Sequence, residues 1–141
     1  MEVEGYQVPE GLLYTKEHEW VKKEGPRVRV GITDYAAKTL NDVVYVTPPK
    51  VDGKVIQFQS MGTVESIKAV SELYSPVTGV VVNVNPSLDL HPELINKSPY
   101  DQGWILEAMP TDFEKERGSL MDPTAYSSFL RALIGQHGKH P

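Results

Sequence analysis

Lys68 is the residue on which the chemistry of this chain is predicted to depend, because it is a single amine inside an apolar strand pattern. It lies in the run VESIKAV at residues 64–70, and the chain continues through SELYSPVTG into VVVNV at residues 80–84. The pattern predicts two strands folded back on each other, with Lys68 near the bend. A lysine at a hairpin tip reaches solvent on a flexible stem while the flanking strands hold its backbone. That arrangement suits a covalent tether, and it equally suits an ordinary surface lysine.

The sequence lacks the usual signatures of a catalytic site. The chain has no cysteine, which removes disulfides, thiol nucleophiles and cysteine-based metal sites. His18 and Glu19 begin a motif that resembles a zinc-protease helix, but the second histidine is missing and the segment has a strand pattern. No glycine-rich nucleotide loop or serine elbow is present. The sequence therefore disfavours an enzyme, and no metal site is predicted.

Size and charge restrict the classes of partner. The chain has 141 residues, with 19 acidic against 14 basic side chains and a formal net charge of −5. This length predicts one domain, residues 1–141, with a core at about residues 13–134. The acidic balance makes neither nucleic acid nor a membrane surface an expected partner. Because the amino terminus lacks a signal-peptide or transit-peptide pattern, the expected location is cytoplasmic. The expected state, taken as the default, is a monomer.

Short β-branched runs separated by Gly, Pro and Asn dominate residues 20–106. Val28, Val30 and Ile32 alternate with Arg27 and Arg29, which is typical of a strand with one buried face and one wet face. The fold is predicted to be mainly β, as a sandwich or small barrel. Residues 51–55 are predicted to form a further strand pair that meets at a turn.

Helix signals are confined to short segments and to the last third of the chain. Asp34 is predicted to cap a short helix, and Thr111 with Glu114 forms a predicted capping box. Asp122 followed by Pro123 predicts a longer amphipathic C-terminal helix that ends at Gly135, before a disordered tail at residues 136–141. The apolar stripe of this helix comprises Tyr126, Phe129, Leu130, Leu133 and Ile134.

Several blocks of sequence resemble one known family in the same order. They are KEHEWV at residues 16–21, VGITDYA at 30–36, ESIKAVS at 65–71 followed by SPVTG at 75–79, PELIN at 92–96, and SPYDQGW at 98–104. Together these blocks resemble the glycine cleavage system H proteins, over about residues 13–133. A string such as ESIKA would be weak support by itself, whereas several ordered blocks are specific.

The resemblance implies a fold, a cofactor and a set of partners. The implied fold is the lipoyl-domain type, a barrel-sandwich hybrid of two antiparallel sheets with short helices. Lipoic acid would be attached to Lys68 as an amide, so that the chain carries the aminomethyl group of glycine from glycine decarboxylase to the aminomethyltransferase. Dihydrolipoyl dehydrogenase and lipoate-attaching enzymes would be further partners. The reactive sulfurs would belong to the prosthetic group, and the protein would not be an enzyme.

The same resemblance implies roles for four glutamates. Glu65, three residues before Lys68, matches an acidic residue that the lipoate-attaching enzymes would recognise. Glu17, Glu19 and Glu72 match a cleft that would hold the amine of the cargo. A small hydroxyl residue is common in the family where Glu17 stands, and Asp where Glu72 stands. The alternative for each glutamate is a solvated charge at a strand edge, and Glu19 is predicted to matter most.

The pattern around Lys68 allows three other interpretations. A biotinyl domain shares the design, but biotin acceptors normally have methionine on both sides of the lysine, where this chain has Ile67 and Ala69. A lipoyl relay protein, which donates lipoyl groups to other complexes, would have the same attachment chemistry. A non-catalytic interaction module would leave Lys68 unmodified. The last two stay open at the level of sequence.

Overall fold

Antiparallel strands dominate the fold, as the sequence pattern predicts. The computed structural model describes residues 1–138. Its strands are β1 (Glu2–Val3), β2 (Tyr6–Gln7), β3 (Leu13–Tyr14), β4 (Glu19–Glu24), β5 (Arg27–Ile32), β6 (Val43–Thr47), β7 (Lys54–Val55), β8 (Ser60–Ser66), β9 (Val70–Tyr74), β10 (Gly79–Val84) and β11 (Leu106–Pro110). Its helices are α1 (Asp34–Leu40), α2 (Leu94–Lys97), α3 (Phe113–Glu116) and α4 (Pro123–Gly138), with 3₁₀ turns at Pro86–Asp89 and Arg117–Ser119. None of the helices in residues 1–138 combines the length and hydropathy that a bilayer-spanning helix requires.

Two antiparallel sheets form the body of the molecule. The larger sheet has the strand order β3-β4-β5-β11-β10-β7, and the smaller sheet has the order β6-β8-β9. The predicted architecture of two antiparallel sheets with short helices is confirmed. A small ribbon of β1 and β2 is an addition that the sequence did not predict.

The core lies between the two larger sheets. Val28 and Val30 of β5 share one buried cluster with Val64 of β8 and Leu73 of β9. On the opposite face of β5, Arg29 donates to Glu107 of β11 at 3.1 Å. The predicted alternation along β5 is therefore confirmed, and burial of its apolar face joins the two sheets.

The cap of α1 differs from the prediction. Thr33, in an extended conformation, accepts a hydrogen bond from the Ala36 amide, whereas Asp34 is the first helical residue. The Asp34 carboxylate instead accepts the Gln7 amide of β2 at 2.9 Å and the Lys38 ammonium at 3.2 Å. Asp34 is thus engaged by the amino-terminal ribbon, and the neighbouring hydroxyl caps the helix.

Two other local predictions were wrong in detail. Asp112, not Thr111, caps α3 by accepting from the Lys115 amide at 3.2 Å. In the segment 51–55 only Lys54 and Val55 form a strand, which pairs with β10, while Asp52 has a positive φ of 70° in the preceding turn. Pairing with a distant strand replaces the predicted local pair.

The C-terminal helix begins where the sequence predicts. The Asp122 carboxylate accepts from the Ala125 amide at 2.8 Å, and Tyr126 and Leu130 are fully buried against Tyr14 and Trp20. The prediction that the helix ends at Gly135 was wrong, since α4 continues to Gly138. Residues 136–138 are therefore helical, and the rest of the predicted tail, residues 139–141, lies outside the described residues.

Candidate functional site

Lys68 lies at the tip of the hairpin that joins β8 to β9. The last residues paired before the turn are Glu65 and Val70, and the Ser66 amide donates to the Ala69 carbonyl at 2.8 Å. The buried Ser66 hydroxyl accepts from the amides of Lys68 and Ala69 at 3.3 and 3.1 Å. The backbone of the turn is therefore held from inside while the Lys68 side chain is exposed. The predicted hairpin is confirmed, and the role of Ser66 is a finding of the structure.

A second set of hydrogen bonds fixes the hairpin against the segment between α1 and β6. The Ile67 amide donates to the Asp42 carbonyl at 3.1 Å. The Asn96 side chain holds both sides of Asp42, because its amide nitrogen donates to the Asn41 carbonyl at 2.6 Å and its oxygen accepts from the Val43 amide at 2.9 Å. The sequence assigned no role to Asn96, since its partners lie more than fifty residues away in the chain.

Replacing Asn96 by alanine is expected to loosen the Lys68 hairpin. The Val43 amide would lose its partner, and an unsatisfied buried group costs about 1–3 kcal/mol of unfolding free energy. Chemical denaturation measures that loss, and hydrogen exchange of the Ile67 amide measures the local opening. Asn83→Ala is the matched control, because it removes a side-chain hydrogen bond to Glu107 in the other sheet. An Ile67 exchange rate equal to that of the control would refute the link.

The surroundings of Lys68 leave room for a covalent group. The lysine makes no salt bridge with any residue in the described part of the chain. An open groove of about 550 Å³ adjoins it, lined by Ala37, Lys38, Asn41, Asp42, Ile67 and Asn96. A side chain that is exposed, without an ionic partner and next to open space fits the attachment of an acyl group to its nitrogen.

Glu65 is exposed on β8, opposite Val70 of β9 and Tyr45 of β6. It therefore lies in the smaller sheet, next to the turn that carries Lys68. Its place is compatible with recognition by an enzyme that modifies the lysine. That role stays a prediction.

Glu17, Glu19 and Glu72 lie on one cleft, although Glu19 is on β4 of the larger sheet, Glu72 is on β9 of the smaller sheet and Glu17 is in the turn before β4. The cleft has a volume of about 160 Å³, and its wall includes Ile32 and Val64. Glu72 is on β9, the strand that follows the Lys68 turn, two residues after the strand begins. The sequence therefore selected three side chains that the fold brings together, and the function of the cleft stays a prediction.

Glu19 differs from the other two glutamates because its carboxylate is buried. Only 1% of its surface is exposed, and it accepts hydrogen bonds from the Thr15 hydroxyl and, at 3.1 Å, from the Tyr74 amide of β9. Burial raises the pKa of Glu19 to about 7, and the two hydrogen bonds oppose part of that effect. A solvated strand-edge role is therefore excluded for Glu19, whereas Glu17 and Glu72 are exposed.

His18 forms another part of the cleft wall. Its Nδ1 lies 2.8 Å from the hydroxyl of Tyr126 on α4, and that hydroxyl is 2.9 Å from the hydroxyl of Thr33. Burial lowers the pKa of His18 to about 4, so the imidazole is neutral at pH 7. The C-terminal helix thus fixes the orientation of a neutral polar side chain in the cleft, which the sequence did not predict.

Comparisons with known proteins agree with one another. The family model described as "Glycine cleavage H-protein" matches residues 12–133. The glycine cleavage system H protein of Geobacillus kaustophilus is 48% identical over 122 residues, which cover 86% of this chain and 95% of that protein. The probable glycine cleavage system H protein of Thermococcus kodakarensis is 47% identical over 134 residues, which cover 94% of this chain and 99% of that protein.

A solved structure extends the agreement to the fold. The crystal structure of a glycine cleavage system H protein from Mycobacterium marinum superposes with a TM-score of 0.79 at 36% sequence identity. The match covers 93% of this chain and 99% of that one.

Proposed function

Since this chain belongs to the glycine cleavage H-protein family, we propose that Lys68 carries lipoic acid as an amide and that the chain works as a carrier. Its cargo is the aminomethyl group of glycine, received from glycine decarboxylase and handed to the aminomethyltransferase, with dihydrolipoyl dehydrogenase restoring the carrier. The observation that carries the proposal is the exposed Lys68 side chain at the tip of a hairpin that Ser66 and Asn96 hold in place.

The chain supplies attachment and presentation, not reactive sulfur. It has no cysteine, and the attached group, when bound, provides the two sulfur atoms that react. Acylation removes the charge of the Lys68 ammonium, which lets the arm lie along apolar surface as well as extend into water. The rigid strands β8 and β9 keep the attachment point in one place, so the motion comes from side chain and arm. A tethered cargo also has a high local concentration at any active site within reach.

The cleft with Glu17, Glu19 and Glu72 is the proposed resting site for the amine of the cargo. The Glu19 carboxylate is desolvated, and an ammonium placed beside it favours its ionised form. Each Glu19 oxygen already accepts one hydrogen bond from the protein, which fixes the carboxylate in one orientation before the amine arrives. Glu17 and Glu72 add negative charge at the exposed side of the cleft.

Glu19→Gln is expected to shorten the lifetime of the loaded carrier. A hydrogen bond to a charged partner contributes about 1.5–3 kcal/mol, so its loss would speed the release of ammonia roughly tenfold or more. The measurement follows ammonia release from fully loaded protein in the absence of the aminomethyltransferase. Glu114→Gln is the control, because Glu114 is an exposed carboxylate outside the cleft. An unchanged lifetime in Glu19→Gln would remove Glu19 from this role.

Two assays test the proposed function itself. Unmodified protein is incubated with a lipoate–protein ligase, lipoate and ATP, and its intact mass is expected to gain one lipoyl group. The lipoylated protein is then mixed with glycine decarboxylase and labelled bicarbonate, and label is expected to enter glycine. No mass gain would refute the carrier proposal. A mass gain without exchange would instead favour the lipoyl relay role.

A further inference from the structure

Phe58 has a backbone conformation that aromatic residues avoid. Its φ is 66° at the third position of the turn between β7 and β8, which the Gln59 amide closes by donating to the Ile56 carbonyl at 3.0 Å. Glycine or asparagine is usual where a turn needs a positive φ at that position, because a Cβ atom strains the backbone there. Burial does not explain the phenylalanine either, since Phe58 is 48% exposed. An observed strain of this kind points to a function for the side chain.

Two backbone hydrogen bonds hold the strained turn against the end of β9. The Phe58 amide donates to the Ser75 carbonyl at 2.6 Å, and the Ser75 amide donates to the Gln59 carbonyl at 3.0 Å. The residue before Ser75 is Tyr74, whose amide donates to the Glu19 carboxylate at 3.1 Å. The turn that presents Phe58 is therefore fixed to the same strand end that holds Glu19.

The Phe58 ring borders a pocket that shares Glu17 and Glu19 with the cleft. We call it the Phe58 pocket; its volume is about 470 Å³, and its wall also includes Tyr14 and Thr15. Tyr14, Thr15 and Glu19 are buried, so they form the bottom of the pocket, whereas the half-exposed Phe58 lies at its mouth. The Glu19 carboxylate therefore borders two openings, one on the side of Glu72 and one on the side of Phe58.

We propose that Phe58 is a positioning residue of the amine site, whose ring keeps water in the Phe58 pocket away from the Glu19 carboxylate and thereby strengthens the attraction of that carboxylate for the ammonium of the cargo. This inference rests on the proposed function, because it assumes that the cleft holds the amine. The arm would approach from Lys68 on the side of Glu72, since Glu72 is on the strand that follows the Lys68 turn. Phe58 acts from the other side and through Glu19, without contact with the cargo.

Exclusion of water decides how strongly a carboxylate attracts an ammonium. The attraction between two such charges in bulk water is about a quarter of that near a protein surface, where the effective dielectric constant is lower. An aromatic ring at the mouth of the pocket takes the place of water and offers no polar group that would compete for the carboxylate. Burial already raises the pKa of Glu19 to about 7 in the unloaded chain. A change in this burial can therefore be measured without lipoate.

The first test uses the unmodified full chain with Phe58→Gly, which removes the ring and relieves the backbone at once. We expect the pKa of Glu19, followed through its carboxyl carbon by NMR, to fall from about 7 toward 4.5, because water then reaches the carboxyl group. The denaturation midpoint is expected to stay close to that of wild type, since relief of the positive φ offsets the lost contacts of the ring. The ionisable neighbours of Glu19 in the two openings are unchanged in this variant; they are Lys16, Glu17, His18 and Glu72, and the others are tyrosines.

Asp52→Gly is the matched control for the backbone. Asp52 has a φ of 70° in another exposed turn and does not line the Phe58 pocket, so the same relief of strain is expected to leave the pKa of Glu19 unchanged. Phe58→Tyr is the control for the ring. It keeps both the ring and the backbone strain, and its Glu19 is expected to titrate as in wild type.

The second test uses the lipoylated and loaded protein. Phe58→Gly is expected to speed ammonia release roughly threefold to tenfold in the absence of the aminomethyltransferase, because the weaker attraction holds the amine less well. The double variant Glu19→Gln/Phe58→Gly is expected to release ammonia no faster than Glu19→Gln, since the ring acts through the carboxylate. Release that is faster by the full factor of Phe58→Gly in the double variant would overturn the action through Glu19.

The outcomes separate this inference from the proposed function. Wild-type protein that gains no lipoyl group would refute the proposed function. A Glu19 pKa in unmodified Phe58→Gly equal to that of wild type would overturn the role of Phe58 alone, and so would a lowered pKa with an unchanged lifetime of the loaded carrier. Should Phe58→Gly fail to fold by circular dichroism, Phe58→Asn takes its place, because asparagine tolerates a positive φ, and it must lower the pKa of Glu19 in the same way.

Discussion

Lys68→Arg is expected to abolish lipoylation, and with it all glycine–bicarbonate exchange, while the protein stays folded. Arginine keeps the positive charge and a similar length, but its guanidinium is not deprotonated in proteins and cannot act as an acyl acceptor. Because Lys68 is exposed and makes no salt bridge with the described residues, the free energy of unfolding is expected to change by less than about 0.5 kcal/mol. Intact mass after incubation with the ligase measures the first effect, and denaturant unfolding measures the second.

Lys54→Arg serves as the control for this experiment. Lys54 is likewise an exposed lysine, but it lies on β7 of the larger sheet, so its replacement should leave the mass gain unchanged. A full lipoyl adduct on Lys68→Arg would contradict the assignment. Lys38 would then be the next lysine to replace, because it lines the same groove as Lys68.

Glu19→Gln is expected to change how the stability of the unmodified protein depends on pH. The pKa of Glu19 is raised to about 7 in the folded chain from an ordinary value of 4.5. The Glu19 carboxyl of the folded state therefore binds a proton more tightly than that of the unfolded state. Its contribution to the free energy of unfolding is present in full below pH 4.5 and is lost as the pH rises through 7. At about 1.36 kcal/mol for each pKa unit, the loss amounts to about 3 kcal/mol.

His18 has the opposite effect on the pH dependence of stability, over nearly the same pH range. Its pKa is lowered to about 4 from 6.5, so the folded state binds the proton less tightly and its contribution to stability grows as the pH rises from 4 to 6.5. In the wild type the two contributions offset each other between about pH 4.5 and 6.5. Glutamine cannot ionise, so Glu19→Gln removes only the contribution that falls with pH.

The expected result is that Glu19→Gln gains stability relative to wild type as the pH is raised, by about 3 kcal/mol between pH 4.5 and 8. The measurement is the free energy of unfolding from denaturant titrations of both proteins across this range. Taking the difference between the two proteins cancels every group that titrates equally in both. Glu114→Gln is again the control, because Glu114 is exposed and should show no such trend. A difference that stays constant with pH would show that the Glu19 carboxyl is not perturbed in the folded chain.

The sequence determined the features of the site that depend on neighbouring residues. The alternation of Val28, Val30 and Ile32 specified the buried face of β5, because side chains along a strand point to opposite faces in turn. The run around Lys68 likewise specified a hairpin with the lysine at its tip, since turn and strand preferences act over a few residues. The start of α4 at Asp122 and Pro123 is local for the same reason.

Features that depend on distant partners were decided by the tertiary structure. Thr33 rather than Asp34 caps α1, because the Gln7 amide engages the Asp34 carboxylate. Asn96 acquires its role from the Asn41 carbonyl and the Val43 amide, which flank the residue that accepts the hydrogen bond of the hairpin.

Glu19 shows most clearly what the sequence alone could not determine. A glutamate next to an apolar strand is usually solvated, and only the distant Tyr74 amide together with the Thr15 hydroxyl makes its burial tolerable. The sequence by itself thus determined which lysine is presented, and it selected three glutamates that the fold brings to one cleft. The packing of one sheet on the other decided that one of these carboxylates is buried with a raised pKa, because desolvation depends on what the fold places around a group and not on its neighbours in the chain.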